Sequence, residues 1–368
     1  MTDAGFEIFA TAPPGLEPLL LAEVQAAGFA GAQAVPGGVT FTGGWPEVWR
    51  ANLDLRGAGR VLARFGSFLA FHLAQLDKRS RKFPWTDTLR PDMPVRVEVT
   101  CHRSKIYHAG AAQQRIETAL REAAGITVAA DAPITLKVRI DDNTVTLSVD
   151  TSGESLHKRG HKEAVGKATM RETLASLMLA HCGYTGTEPV VDPMCGSGTF
   201  PIEAAEIARG LQPGRSRDFA FMQLASFDAA AFAALRRDNL RATDLRFYGS
   251  DRDTGAVRNA TANADRAGVG DIVTFAHHAV SDLPRPAGPP GLVMVNPPYG
   301  ARIGNRNLLF PLYGALGATL KDRFRGWRVG LVTSEPGLAK ATGLPFVPDR
   351  LQVPHGGLKV TLFRTDPL

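Results

Sequence analysis

Apolar and polar residues near the start of the chain alternate with two different periods. Residues 6–10 alternate one by one, as a half-buried strand does, and residues 39–41 repeat this pattern after two glycines. Between them, residues 16–27 carry apolar side chains every three or four positions, like one face of a helix. These patterns predict a small α+β unit over residues 1–56.

A second α+β block is predicted over residues 57–152. Strands are expected at 95–100, 134–140 and 144–149, and the last two are separated by Asp-Asp-Asn, a run that favours a tight turn. A helix is expected at 111–124, between the first and second of these strands.

Beyond residue 150 the pattern changes to strands that alternate with helices. Residues 153–183 are predicted to form a connector rich in glycine and charge, together with a leading helix, and 184–368 to form the last domain. This rhythm is typical of a doubly wound, mostly parallel sheet, so the predicted fold class is α/β. The predicted elements are helices at 167–181, 200–208 and 254–267 and strands at 189–192, 246–251, 273–276 and 291–296.

The composition narrows the class of protein. The chain has 368 residues, 44% of them hydrophobic, which suits two or three domains with buried cores. Its three cysteines, Cys101, Cys182 and Cys195, form no CxxC pair, which argues against a disulfide framework and a cysteine zinc site. The first residues lack the basic and apolar regions of a signal peptide, and no apolar run is long enough to span a membrane. We therefore expect a cytoplasmic protein without a metal site.

Positive charge is concentrated in one part of the chain. The net charge is +6, and residues 60–122 contain twelve Lys or Arg against six Asp or Glu, the same excess. Four cations lie within 78–82, and Phe83 and Trp85 follow. Cations neutralise phosphates and an aromatic ring stacks on an unpaired base, so this segment indicates a polyanionic partner. A solvated surface loop is the alternative interpretation. A second basic run lies at 158–162.

The first chemical motif joins an acidic residue to a glycine turn. Asp192 ends an apolar strand, and the turn from Gly196 to Gly198 leads into a predicted helix. Glycines let a ligand approach the backbone closely, and the acid suits a ligand with a cationic amino group beside a sugar. The third glycine of the dinucleotide fingerprint is missing, which disfavours a dinucleotide oxidoreductase. Cys195 is interpreted as a small residue of the turn, not as a nucleophile.

The second motif is an acidic residue at the end of another strand. Asp251 lies 59 residues after Asp192. A carboxylate in this position can accept hydrogen bonds from ribose hydroxyls, although a helix N-cap is the alternative role. Dinucleotide folds separate the corresponding residues by only about 20 positions, so an insertion is predicted at 209–245.

The third motif is Asn296-Pro297-Pro298-Tyr299, which follows four apolar residues. The two prolines force an extended exit from the strand and direct the Asn296 side chain and the Pro297 carbonyl into one cleft. Both groups accept hydrogen bonds from an exocyclic amine, and Tyr299 can stack on a base. A structural Pro-Pro turn is the alternative.

The motifs together resemble those of class I S-adenosylmethionine-dependent methyltransferases that act on the amino group of a base, namely DPMCGSGT, GSDRD and NPPYG. Over almost its whole length, the chain also resembles the bacterial THUMP-domain RNA methyltransferases that are related to the 23S rRNA guanine-N2 enzymes. The segments that carry this resemblance are ATAPPGLEPLLLAEV, GGVTFTG, RVEVTCHRSKIYH and VPHGGLKVTLFR. It implies a Rossmann-like methyltransferase domain with a mostly parallel seven-stranded sheet over 184–368. A ferredoxin-like domain at 1–56 and a THUMP-like RNA-binding domain at 57–152 would precede it.

The resemblance also implies S-adenosyl-L-methionine as cofactor and structured RNA as partner. The cofactor-binding residues it implies are Asp192, Pro193, Met194, Cys195, Gly196, Ser197, Gly198, Thr199, Asp251, Arg252, His278 and Asn296. The catalytic residues it implies are Asn296, Pro297, Pro298 and Tyr299. Charge and resemblance together indicate RNA contacts by Lys78, Arg79, Arg81, Lys82, Arg103, Lys105, Lys158, Arg159, Lys162 and Arg302.

The chain departs from the family pattern in three places. It has Arg-Gly-His-Lys at 159–162 where the family usually has Arg-Gly-Tyr-Arg, and His355-Gly356 where an Asn-Gly pair is usual. His277-His278 occupies the place where the family often carries an Asp after the third strand. We interpret these histidines as loop residues, because no set of carboxylates or thiols is spaced for a metal beside them.

The predicted function is methylation of the exocyclic N2 amine of a guanosine in structured RNA, with 23S rRNA favoured by the long insertion. Three alternatives stay open: a tRNA guanosine-N2 methyltransferase, an adenine-N6 nucleic-acid methyltransferase, and a non-catalytic RNA-binding assembly factor. The THUMP-like strings favour RNA over DNA. The intact Gly196, Gly198 and Asn296 favour an active enzyme.

Overall fold

The computed structural model describes residues 5–163, 170–237, 240–299 and 308–368. The chain folds into two compact units. The described residues of the first unit fall within 1–12, 21–156 and 217–236, and those of the second within 13–20, 157–216 and 237–368. No helix in the described ranges is both long and apolar enough to cross a membrane.

Strands and helices alternate irregularly in the first part of the chain. The elements are β1 (Phe6–Thr11), α1 (Glu17–Ala26), β2 (Ala30–Val35), β3 (Gly38–Gly43), α2 (Trp45–Asp54), β4 (Val61–Leu69), α3 (Leu73–Arg81), β5 (Val95–His102), α4 (Ala109–Ala124), β6 (Ile134–Asp141) and β7 (Thr144–Asp150). A short 3₁₀ turn follows α3 at Trp85–Asp87.

One seven-stranded sheet joins all the strands of the first unit, in the order β2-β3-β1-β4-β7-β6-β5. Neighbours pair antiparallel except β5 and β6, which are parallel. β4 pairs with both β1 and β7, so the sheet is continuous across the predicted domain boundary after residue 56. The alternation in β7 follows from burial, because Val145, Leu147 and Val149 are completely buried in the core.

The second unit contains the alternating strands and helices. Its main elements are α5 (Glu172–His181), β8 (Val190–Asp192), α6 (Thr199–Arg209), β9 (Phe247–Asp251), α8 (Thr254–Arg266), β10 (Val273–His277), β11 (Leu292–Val295), α9 (Leu309–Arg323), β12 (Arg328–Thr333), α10 (Pro336–Ala341), β13 (Phe346–His355) and β14 (Leu358–Thr365). Helix α7 (Ala229–Leu235) and a 3₁₀ turn at Ala220–Gln223 lie in the insertion, and another 3₁₀ turn spans Val280–Asp282.

The sheet of the second unit has the order β10-β9-β8-β11-β12-β14-β13. The first five strands are parallel, and β14 pairs antiparallel with both β12 and β13. The predicted α/β fold with a mostly parallel seven-stranded sheet is therefore confirmed. The strand order reverses at β8, and the crevice at the carboxyl ends of such a switch point is where open α/β sheets bind ligands.

Two elements of the first unit lack a clear signal in the sequence. Strand β2 consists mainly of alanine and glycine at the edge of the sheet, so it shows little apolar alternation. Helix α3 buries only Leu76 and Ser80. Because most of its residues are polar and solvated, the basic run at 78–82 resembles a surface loop in the sequence although it ends a helix.

The predicted insertion does not stay with the second unit, because residues 217–236 belong to the first. The Phe221 ring is fully buried, 6.3 Å from the Trp49 ring and 5.7 Å from the Phe227 ring. The Phe221 amide also donates to the Thr151 carbonyl at 3.0 Å. An aromatic cluster thus anchors the insertion to the elements that precede it by about 70 residues or more.

Truncation of this anchor should destabilise the first unit. We expect Phe221→Ala to lower the free energy of unfolding by about 3–5 kcal/mol, because a fully buried phenylalanine leaves a cavity. Urea unfolding followed by tryptophan fluorescence measures the change, and Phe310→Ala, at a half-exposed ring in the second unit, is the control. Equal unfolding midpoints for the two variants would contradict this account of the insertion.

Candidate active site

The three chemical motifs meet at the carboxyl ends of neighbouring strands. β8 lies between β9 and β11 in the sheet, and all three run parallel. Asp192 is the last residue of β8, Asp251 the last of β9, and Asn296 follows directly after β11. Parallel strands bring their carboxyl ends to one edge, so residues up to 104 positions apart in the sequence surround one crevice.

A cavity of about 340 Å³ opens at this edge, which is within the usual range for a small-molecule site. Its lining contains two carboxylates and, among the described residues, no lysine, arginine or histidine. Such a lining favours a ligand that carries positive charge. The lining residues are Met170, Asp192, Met194, Cys195, Gly196, Ser197, Thr199, Phe200, Asp253, Gly255, Ala256, Asn259 and Asn296.

Two glycines shape the loop between β8 and α6 for different reasons. Gly196 has φ +52°, and a β-carbon there would meet no atom within 4 Å, so its backbone borders open space. Gly198 has φ +83°, and a β-carbon would approach the Phe275 ring to 2.7 Å. The first glycine keeps a path to the backbone free, and the second permits close packing of the helix on the sheet.

The carboxylate of Asp192 lies in an environment that disfavours its charged form. Its side chain is 2% exposed, and one carboxylate oxygen accepts a hydrogen bond from the Met194 amide at 3.0 Å. No cationic side chain in the described ranges pairs with it. Burial raises the pKa of Asp192 to about 8, and the Met194 amide offsets this only in part. A cationic group bound in the cavity would supply the missing partner.

Two further carboxylates, Asp251 and Asp253, lie at the end of β9 and just after it. The two oxygens of Asp251 accept hydrogen bonds from the amides of Gly196 and Asp253, both at 3.0 Å, so this side chain fixes the glycine loop. Asp253 caps α8 through one oxygen, which accepts from the Gly255 amide at 2.7 Å, and its side chain lines the cavity. The sequence pattern indicated only Asp251; the acid–x–acid spacing beside a helix start was the available signal for Asp253.

Asn296 presents an acceptor to the same cavity. Its Oδ1 atom is buried and has no hydrogen-bond partner among the described residues. An unsatisfied buried acceptor costs about 1–3 kcal/mol, so it marks a place where a ligand is expected to donate. The following loop is held by α9, because the buried Tyr313 hydroxyl donates to the Pro298 carbonyl at 3.2 Å. Tyr299 is half-buried and packs against the hydrophobic core.

The thiol of Cys195 is a structural part of the turn. It is buried, and burial raises the pKa of Cys195 well above its usual value, with Asp192 and Asp251 adding to the effect. The thiolate, which is the nucleophilic form, is therefore scarce near neutral pH. The interpretation of this cysteine as a small residue, not a nucleophile, agrees with its environment.

The remaining predicted cofactor residues do not line the cavity, within the part of the chain that is described. Pro193, Gly198, Asp251 and Arg252 are of this kind. His278 donates its amide to the Asp251 carbonyl at 3.2 Å, but its side chain lines a separate, largely apolar cavity of about 110 Å³. A cofactor contact by His278 stays a prediction. The residues missed by sequence reasoning are Met170, Phe200, Asp253, Gly255, Ala256 and Asn259.

Two cations predicted to contact RNA are held inside the second unit: Arg159 is buried and Lys162 nearly so, which argues against a contact with RNA by either. The Arg159 side chain is 2% exposed and pairs with Glu203 at 3.2 Å. Lys162 pairs with Glu172 at 2.9 Å. Charges with so little exposure to water must be matched by partners inside the protein, and little of either side chain is accessible to a phosphate.

The basic run at the end of α3 is a surface feature, as predicted. Lys78, Arg79 and Lys82 are exposed, whereas Arg81 pairs with Asp77 at 2.9 Å and Glu122 at 2.7 Å. Trp85 does not accompany these cations at the surface: it is 1% exposed. Its indole nitrogen donates to the Ser80 carbonyl, so its proposed stacking on a base is wrong.

The other predicted RNA contacts divide between exposed and undescribed residues. Lys158, Arg103 and Lys105 are exposed. Arg302 lies outside the described residues. RNA contact by the exposed cations stays a prediction.

The buried Asp192 carboxylate should make stability depend on pH. Its pKa is about 8 in the folded chain and about 3.9 in an unfolded one, so the stabilisation present below pH 4 is lost as the pH rises through 8. The loss is on the order of 1 kcal/mol per pH unit over this window. We expect Asp192→Asn to flatten the profile and to be more stable than the parent chain at pH 8–9. Urea unfolding from pH 5 to 9 measures this, with Asp366→Asn at an exposed site as control; parallel profiles for parent and Asp192→Asn would contradict it.

Comparison with known proteins agrees with this geometry. Residues 159–352 match the family described as the RMKL-like methyltransferase domain, and residues 7–62 match the RlmL ferredoxin-like domain. The first match contains all the residues that line the cavity, and the second contains most of strand β1 and all of β2 and β3.

Solved structures match over nearly the whole chain. A possible methylase from Clostridium difficile 630 is 26% identical with a TM-score of 0.87, covering 99% of this chain and 98% of its own. A predicted N6-adenine-specific DNA methylase from Listeria monocytogenes is 29% identical with a TM-score of 0.86, covering 99% and 97%. The SMU.472 protein complexed with SAH, thought to be a methyltransferase, is 26% identical with a TM-score of 0.84, covering 100% and 99%. Because the family match spans more than half of the sequence and includes all three motifs, the chain belongs to the RMKL-like methyltransferase domain family.

Proposed function

We propose that this protein methylates the exocyclic N2 amine of a guanosine in structured RNA, with 23S rRNA as the favoured substrate and tRNA as the alternative. The observation that carries the proposal is the buried Oδ1 atom of Asn296, which lines the acidic cavity and has no hydrogen-bond partner among the described residues. An exocyclic amine is the donor that this acceptor lacks.

The cofactor of this methyltransferase is S-adenosyl-L-methionine, and the residues present fit it. It supplies a methyl group already activated on a sulfonium. Asp192 offers a buried carboxylate to the cationic amino group, and the open backbone at Gly196 accommodates close approach. Asp251 and Asp253 have the chemistry to accept hydrogen bonds from ribose hydroxyls.

The target amine would be oriented by two acceptors. Asn296 Oδ1 and the Pro297 carbonyl accept its hydrogens, which holds the nitrogen in place for attack. An asparagine is neutral, so it does not act as a strong base, and the proton leaves to solvent after transfer. Tyr299 lies beside these groups in the chain and offers a ring on which the base can stack. The base must leave its helix or be unpaired already to reach this cleft.

Support for RNA comes from the first unit. Residues 7–62 match a domain of an RlmL protein, and the exposed cations Lys78, Arg79 and Lys82 suit phosphate contacts. The THUMP-like interpretation of residues 57–152 belongs to the same proposal. The insertion at 209–245 favours rRNA over tRNA.

Adenine N6 is the second candidate, because one similar structure is that of a predicted N6-adenine-specific DNA methylase. Its amine would suit the same acceptors.

Lys162 is proposed to position the cofactor cavity. Its ammonium donates to the Met170 carbonyl at 3.0 Å and to the Thr199 hydroxyl at 2.8 Å, and both residues line the cavity. Burial lowers the pKa of Lys162, while Glu172 opposes this shift. The charge therefore depends on its ion pair.

Removal of these two donations should weaken cofactor binding. We expect Lys162→Met, whose side chain of similar length has no donor, to raise the Kd for S-adenosylmethionine about tenfold, measured by calorimetry, with a smaller change in kcat. Glu172→Gln is the matched control, because it removes the ion pair but keeps both donations. If the two variants lose stability equally and neither changes the Kd, Lys162 has only a structural role.

Methyl transfer to defined RNA tests the proposed reaction. The parent protein, with labelled S-adenosylmethionine, is incubated with rRNA and tRNA from a strain that lacks the gene, and nucleosides are identified by mass spectrometry. We expect N2-methylguanosine in rRNA. Asn296→Ala should reduce the transfer rate about 100- to 1000-fold, with a much smaller effect on cofactor binding, as loss of an oriented polar group does in other active sites.

Asn296→Asp is the matched variant, because it keeps an acceptor oxygen and should retain more activity than Asn296→Ala. N2-methylguanosine in tRNA alone would select the alternative substrate. Methyladenine would overturn the base assignment, and transfer to DNA alone would overturn the polymer. Cofactor binding without transfer to any of these would support the non-catalytic alternative.

A further inference from the structure

Three large apolar side chains are exposed at one end of the first unit. Tyr107 is 84% exposed, Leu69 46% and Phe71 41%. Leu69 ends β4, Phe71 lies two residues later, and Tyr107 belongs to the loop after β5. Scattered exposed apolar residues are ordinary, but a group that includes two aromatic rings is typical of an interaction surface.

Backbone hydrogen bonds hold these separate segments together. The turn between β6 and β7 is the common partner: the Ala70 amide donates to the Asn143 carbonyl, and the Lys105 amide donates to Asn143 Oδ1, both at 2.9 Å. The Asn143 amide in turn donates to the Ser104 hydroxyl at 3.0 Å. The loop that carries Tyr107 is therefore fixed before any partner arrives, which lowers the entropy cost of binding.

One cation lies beside an exposed ring, and a second is exposed two residues before it in the chain. The Lys105 ammonium lies 5.5 Å from the centre of the Phe71 ring, a cation–π distance. The Arg103 side chain is also exposed, at 3.6 Å from Asp141. These positions combine apolar ring faces with positive charge, which distinguishes them from a simple hydrophobic protein contact.

The adjoining helix extends this charged surface. Helix α3 begins directly after Phe71, with the His72 ring nitrogen accepting from the Gln75 amide as its cap. A helix rises about 1.5 Å per residue, so Lys78 lies roughly 9 Å along the axis from this cap. The exposed cations of its last turn thus lie on the helix that begins directly after Phe71.

We propose that the surface formed by Leu69, Phe71, Arg103, Lys105 and Tyr107, the aromatic end, stacks unpaired bases of an RNA strand. The proposal rests on the proposed function for the identity of the polymer as RNA. Aromatic faces bind bases of single strands because duplex bases are already stacked, and cations among the rings hold the backbone. The cations at the end of α3 would contact further phosphates of the same strand. This surface is separate from the residues proposed to bind the target base.

Direct binding to the full-length chain without cofactor tests this proposal. The probe is a fluorescein-labelled single-stranded RNA of mixed sequence, compared with its duplex, and anisotropy gives the Kd. Tyr107→Ala should weaken single-strand binding about fivefold to a hundredfold, as loss of one stacking contact does, and should leave duplex binding nearly unchanged. Leu358→Ala, at another exposed apolar side chain, is the control.

Salt dependence separates stacking from charge. Tyr107→Ala should leave the slope of log Kd against log salt unchanged, whereas Lys105→Gln should reduce it by about 0.7 if the ammonium contacts one phosphate. Tyr107→Trp should retain affinity, and bound single strand should quench its added fluorescence. Because Tyr107 is exposed, thermal melting should be unchanged in all these variants, which rules out misfolding as the cause.

Several results would overturn the proposal. Equal weakening of single-strand and duplex binding by Tyr107→Ala would mean a phosphate surface without stacking. Unchanged single-strand binding in Tyr107→Ala and Phe71→Ala would mean that RNA does not bind this surface, and would favour a protein partner instead. The two proposals can be refuted separately. If variants without these rings methylate RNA and bind single strands as well as the parent chain does, the proposed role of the aromatic end is refuted and the proposed reaction is not. A chain that stacks single strands but transfers no methyl group refutes the reaction alone.

Discussion

Burial of the Asp192 carboxylate is the constraint on which the geometry of the cavity depends. The chain places an acid at the end of a central strand, where the sheet and the glycine loop exclude water from it. A second acid, Asp251, lies close enough to raise the pKa of Asp192 further. Such an arrangement is unfavourable in isolation and becomes favourable when a cation binds. The backbone amides of Met194 and Gly196 limit the cost by donating to the two acids.

A group of buried charges supports this loop from outside the cavity. The connector contributes Arg159 and Lys162, and the helices contribute Glu203 and Glu172 as their partners. Breaking one member of a buried pair leaves an unmatched charge at a cost of about 3–5 kcal/mol, so each pair strongly specifies the path of the connector. The Arg-Gly-His-Lys sequence that departs from the usual family pattern keeps a cation at both ends. This chemistry explains why the departure leaves the site intact.

The proposed functions of the two units depend on different physical interactions. In the second unit, acceptors and acids act on small groups inside a cavity, where exclusion of water makes each hydrogen bond selective. In the first unit, the rings and cations proposed to bind RNA are exposed at the surface, which suits a long, charged and solvated partner. The segment 217–236 belongs by sequence to the region between two strands of the second unit but packs on Trp49 in the first. The chain therefore passes between the units more than once.

The sequence by itself determined the α/β fold class and the meeting of Asp192, Asp251 and Asn296, because strand periodicity is local and parallel strands bring their carboxyl ends together. It did not determine which charged and aromatic side chains reach solvent. Arg159 and Trp85 are of residue types that often bind RNA, yet both are buried. Arg159 pairs with Glu203, which is 44 positions away in the sequence, and Trp85 packs in a cluster of aromatic rings. Conversely, Tyr107 has no local signal that marks it as exposed. The chemistry of a side chain follows from the residue type and can be predicted from the sequence. Its burial depends on packing between segments that are distant in the sequence, and these contacts are seen only in the tertiary structure.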